Sequence, residues 1–69
     1  EVEAYAFDGR TFKTQVVWAR SDQMLDILVP AEKFLAAYDR GGAAIMPFPA
    51  GENYQFSVNF SPIYLVFRP

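Results

Sequence analysis

Hydrophobic and polar residues alternate along most of this chain, and the places where the alternation breaks divide it into elements. The clearest run is NYQFSVNF, residues 53–60. Tyr54, Phe56, Val58 and Phe60 share one parity, and Asn53, Gln55, Ser57 and Asn59 the other. A period of two predicts a strand with one dry and one wet face. Ser61-Pro62 interrupts it. IYLVFR, residues 63–68, follows without alternation, as expected of a strand covered on both faces.

At the amino end, EVEAYAF, Asp8-Gly9 and RTFKTQVVWAR read as a β-hairpin, because Asp-Gly suits the positive φ angles of a two-residue turn. Phe12, Thr14, Val16 and Trp18 share one face of its second strand, and Thr11, Lys13 and Gln15 the other. Ser21, Asp22 and Gln23 signal a turn. In MLDILV, Leu25, Ile27 and Val29 alternate with Met24, Asp26 and Leu28. A third strand is the first reading there, and a short helix capped by Ser21 or Asp22 the second.

Pro30 changes the regime. Proline suits the first turn of a helix, and PAEKFLAAYDRGG has helical composition. Ala31, Phe34, Leu35 and Tyr38 would form an apolar stripe, with Glu32, Lys33, Asp39 and Arg40 on the wet side and Gly41 or Gly42 ending the helix. AAIMPF, residues 43–48, predicts a short or edge strand, since Pro47 cannot donate to a ladder. PAGEN, residues 49–53, reads as a loop. The predicted order is β-β-β-α-β-β-β. The expected fold class is therefore α+β, a mostly antiparallel five- to six-stranded sheet with one helix packed on a face, in a single domain spanning residues 1–69.

Composition narrows the function classes. At 52% hydrophobic and 20% charged, the chain is globular rather than disordered. It contains no cysteine or histidine, so no disulfide or His/Cys zinc site is predicted, and stability must come from packing within one chain or between two. A net charge of −2 lacks the basic excess of a duplex-DNA binder. No apolar run approaches the roughly 18 residues of a membrane helix. The chain starts at Glu1 without methionine, which suggests a missing flanking segment or a removed leader. The absence of cysteine suits a reducing cytosol, a periplasm or a phage particle alike, so localisation stays open.

Candidate chemistry is thin. Ser-His and Cys-His nucleophile pairs are impossible in one chain. The carboxylates of Asp8 with Asp26, or of Glu1 with Glu3, read as solvated charges, as do Lys13 and Lys33. Gly41-Gly42 follows the expected helix instead of preceding one, so it does not make a phosphate loop. Asn59-Phe60-Ser61 matches a glycosylation triplet, but Pro62 disfavours it. The expectation is a protein that is not an enzyme and uses no cofactor or metal.

What stands out is the aromatic surplus: seven Phe, four Tyr and one Trp. Phe12, Phe56, Phe60 and Phe67 are expected in the core. One helix can cover only one sheet face, leaving the other to some of Tyr5, Phe7, Leu28, Met46, Phe48, Tyr64 and Val66, unless the sheet closes into a barrel. The function expected is a non-enzymatic protein-interaction module, a small inhibitor, adaptor or accessory protein of bacterial or phage type. It would act through an aromatic-rich sheet surface as a homodimer, on a protein partner or a second copy of itself. Its partner-binding residues would be Trp18, Tyr64, Tyr5 and Phe48, rimmed by Arg20 and Arg68. The alternative is a single-stranded nucleic-acid-binding domain stacking bases on Phe12, Trp18, Tyr54 and Phe56 beside Arg10, Lys13 and Arg20.

Overall fold

The computed structural model describes residues 2–9, 12–20 and 24–69; Glu1, Arg10, Thr11 and the expected turn at 21–23 lie outside them. The described residues form seven strands: β1 (Val2–Asp8), β2 (Lys13–Ala19), β3 (Leu25–Pro30), β4 (Phe34–Tyr38), β5 (Phe48–Ala50), β6 (Asn53–Val58) and β7 (Ile63–Phe67). They make two antiparallel sheets, ordered β1-β2-β7-β4 and β3-β6-β5. The architecture is all-β, and the expected α+β class is wrong.

The error lies at residues 30–42, where no helix forms. Pro30 ends β3, the Phe34 N–H donates to the Ala31 carbonyl across a tight turn, and β4 begins at once. Along β4, Phe34 pairs with Phe67 and Ala36 with Val66, so two steps on β4 match one on β7. That bulge at Leu35 brings Phe34 and Ala37 onto the same face of the sheet. An i, i+3 apolar spacing therefore arises in a strand, and it imitates a helical stripe. A helix of about ten residues would be marginal alone. As a strand the segment gains a ladder to β7 on one side. On the other side the Ile45 N–H donates to Ala37 and the Asp39 N–H to Ala43.

The glycines at 41 and 42 serve the reversal after β4. Gly42 has φ +91°, and the Asp39 carboxylate accepts from the N–H groups of Gly41 and Ala43, each at 2.9 Å. A strand follows the reversal, not a helix stop. Likewise, part of the expected 49–53 loop is strand: β5 spans 48–50, and Gly51, with φ +66°, turns the chain into β6. Asp8-Gly9 is not the apex of the first hairpin. Asp8 pairs with Lys13 and the Gly9 N–H donates to the Phe12 carbonyl, so both belong to the ladder.

The two sheets face each other across one core of Val17, Ala19, Val29, Ala37, Phe56, Val58, Ile63 and Leu65. Burial alternates along β2 with Val17 and Ala19 inside, which places Phe12, Thr14, Val16 and Trp18 on the outer side. Phe34 and Phe67 of the first sheet join Tyr54 and Phe56 of the second. The Phe34 ring lies 5.1 Å from Tyr54, 5.5 Å from Phe56 and 6.1 Å from Phe67, in edge-on or tilted contacts favourable for aromatic pairs. Two of the four phenylalanines expected in the core are not there: Phe12 is 48% exposed and Phe60 69%. Phe60 lies beyond the end of β6, whose alternation stops at Val58.

Candidate functional site

The second layer covers one face of the four-stranded sheet and leaves the other bare. The strand registers place Tyr5 opposite Val16, Val16 opposite Tyr64, and Tyr64 opposite Tyr38. These four residues form one row across all four strands. The next row reads Phe7, Thr14, Val66, Ala36, and Glu3 stands opposite Trp18 on the other flank. The unbroken apolar sequence of β7 is thus explained differently from the expectation. Ile63 and Leu65 are buried in the core, whereas Tyr64 and Val66 form the middle of this outer face, with no layer above them.

Within the face, exposure rises towards β1. Trp18 and Tyr64 are half-buried, while Tyr5 is 64% and Phe7 53% exposed. Their rings lie 5.3 Å apart, forming one apolar projection. Beside Trp18, a shallow cleft of about 350 Å³ is lined by Val16, Trp18, Phe60 and Pro62, which extends the face past β6. Arg20 sits at the margin with its guanidinium 3.4 Å from the Glu3 carboxylate. Both side chains are largely exposed, so this pair is worth little to stability.

Four of the six expected contact residues, Tyr5, Trp18, Tyr64 and Arg20, therefore gather on one face. The other two do not. Phe48 is exposed on β5 in the second sheet, opposite Gln55, in a row with Leu28. Arg68 lies past the far end of β7, donating to the Glu32 carbonyl and lining a cleft with Lys13 and Lys33. Residues missed on the outer face are Tyr38 and Phe60. Tyr38 was concealed by the helical reading, and Phe60 by an alternation that outlasts its strand.

The set expected for stacking nucleic-acid bases is not assembled. Phe56 is buried in the core and Tyr54 faces it, Lys13 sits at the end of β2 away from Trp18, and Arg10 is outside the described residues. Of the carboxylate pairs, Asp26 accepts from the Ser57 hydroxyl at 2.9 Å. Among the described residues, no three Asp or Glu side chains gather as a metal site.

Surface area gives the aromatic face a scale. A compact monomer of 7.8 kDa exposes about 4,400 Å² by the general size relation, whereas this chain exposes 4995 Å². The excess is about 600 Å² per chain. Comparison with protein-family models, with curated proteins and with solved structures gives no match.

Proposed function

We propose that this chain is a non-enzymatic protein-interaction module that works as a homodimer, with the outer face of the four-stranded sheet as its contact surface. The observation that carries the reading is the apolar row running from Tyr38 through Tyr64 and Val16 to Tyr5, without a layer above it. Contiguous apolar surface of several hundred Å² is uncommon on a lone monomer and marks a contact site. Trp18 and Tyr64 form the half-buried bed of that surface. Tyr5 and Phe7 form its most exposed part, on the strand nearest to solvent. The partner is a second copy, because closed two-fold dimers use one self-complementary patch and need no other specificity.

The test is solution mass against concentration for the wild type and for Tyr5→Ser and Phe7→Ser. The wild type is expected to rise from 7.8 kDa to twice that mass. Each serine variant should stay folded, because its ring is more than half exposed, and should weaken association about tenfold through lost aromatic contact. Trp18→Ala and Tyr64→Ala should also leave a folded chain and weaken association less. A wild type monomeric at all concentrations overturns the reading, as do serine variants that associate unchanged. Association should respond weakly to salt. A single-stranded oligonucleotide bound with a steep salt dependence would favour the nucleic-acid alternative instead.

A further inference from the structure

Resting on that homodimer reading, we infer that the second copy docks by strand addition: β1 pairs antiparallel with β1 of the other chain about a two-fold axis at Tyr5, making one continuous eight-stranded sheet.

The free edges of the two sheets are not equivalent. β4 is covered by residues 43–45, through the hydrogen bonds from Ile45 to Ala37 and from Asp39 to Ala43. β5 is three residues long with Pro49 at its centre. β3 carries Asp26 and ends on Pro30. Short strands, charges and prolines are the usual means of blocking unwanted pairing. β1 has seven residues and no proline, and its stretch at 4–7 carries no charge. Its inner side is also uncovered, since Val2, Ala4 and Ala6 are exposed where the sheet overhangs the smaller second layer. Among the described residues, β1 is the unprotected edge, and it lies open on both faces.

The hydrogen-bond phase selects the register. Gly9 donates to Phe12, and antiparallel ladders alternate between bonded and non-bonded pairs. Residues 3, 5, 7 and 9 therefore bond towards β2, and the N–H and C=O groups of Val2, Ala4, Ala6 and Asp8 point to the free edge. A two-fold axis at Tyr5 sets Val2 against Asp8 and Ala4 against Ala6 of the second copy, so every free group on the strand is matched. It also uses the full length of β1. A register centred on Glu3 would oppose two carboxylates. With the axis at Tyr5, the two Tyr5 residues form a non-bonded pair, with Cα atoms about 4.5 Å apart and side chains in contact. Both lie on the outer face, so the row continues from Tyr38 of one chain to Tyr38 of the other. Twice the excess area is about 1,200 Å², the lower end for a specific interface.

The chain has no native cysteine, which makes the test clean. Tyr5→Cys and Phe7→Cys are compared under mild oxidation with diamide, with the mass of the reduced proteins measured alongside. Non-bonded antiparallel partners fall within disulfide range, and positions displaced along the strands do not. Tyr5→Cys should cross-link nearly completely and Phe7→Cys hardly at all. Ala6→Pro removes an outward N–H, so it should give a folded monomer. Dimers in which position 5 fails to link, or position 7 links preferentially, overturn the β1 pairing while leaving the homodimer reading intact. Reduced and wild-type proteins that stay monomeric overturn both. If Ala6→Pro stays a dimer, the β1 pairing is likewise refuted.

Discussion

Leu65 and Tyr64 are neighbours in β7 with opposite duties, and truncating each in turn measures the layering directly. Leu65 is fully buried, opposite Gln15 on one side and Ala37 on the other, with Ile63 and Phe67 along its own strand face. Leu65→Ala removes three carbons at about 0.8 kcal/mol each, roughly 2.4 kcal/mol of transfer free energy. The strands on both sides hold the site open, since Ala37 is too small to fill the space, so a cavity term raises the cost to about 3–4 kcal/mol. At about 0.05–0.15 kcal/mol per residue, the whole chain has only about 3–10 kcal/mol of stability. A melting point lowered by roughly 12–30 °C follows. Tyr64 is half-buried and has no layer above it, so Tyr64→Ala should cost only about 1–2 kcal/mol. The assay is urea unfolding followed by the fluorescence of Trp18, the chain's one tryptophan, at a fixed protomer concentration because association adds to apparent stability. If Leu65→Ala costs less than about 1 kcal/mol, or Tyr64→Ala costs more than Leu65→Ala, the faces of β7 have been assigned the wrong way round.

Other substitutions test the turns and the rim. Gly42→Ala meets no atom within 4 Å but forces an L side chain to φ +91°, so urea curves should show a loss of about 1–2 kcal/mol. Gly41→Ala, whose added carbon meets the Asp39 carboxylate at an ordinary 3.5 Å, should change stability by less than about 0.5 kcal/mol. Arg20→Ala breaks an exposed ion pair with Glu3 and should shift stability by no more than about 0.5 kcal/mol in thermal melts.

Much of this fold was legible because period-two alternation is a direct image of a half-buried strand. Leu25, Ile27 and Val29 face inward in β3, and Phe56 and Val58 do so in β6, as their spacing implies. The segment at 34–38 was not legible, because a bulge at Leu35 gives a strand the apolar spacing of a helix, and alanine-rich composition reinforces the disguise. On β2 both parities carry apolar residues. The larger ones, Val16 and Trp18, face outward, while Val17 and Ala19 fit between the layers. Size suggested the opposite, but the space between two packed sheets suits small and branched side chains beside the Phe34 cluster. The aromatic surplus could be read from composition. Which rings share a face could not, because Tyr5, Tyr64 and Tyr38 meet only through strand pairing across the whole length of the chain.

Sedimentation velocity of the unmodified chain, from about 1 µM to about 1 mM protomer, bears most directly on whether the bare sheet face and open β1 edge are there to receive another copy. A boundary moving from one 7.8 kDa chain to two as concentration rises is the predicted result. A single 7.8 kDa species across the whole range would contradict it.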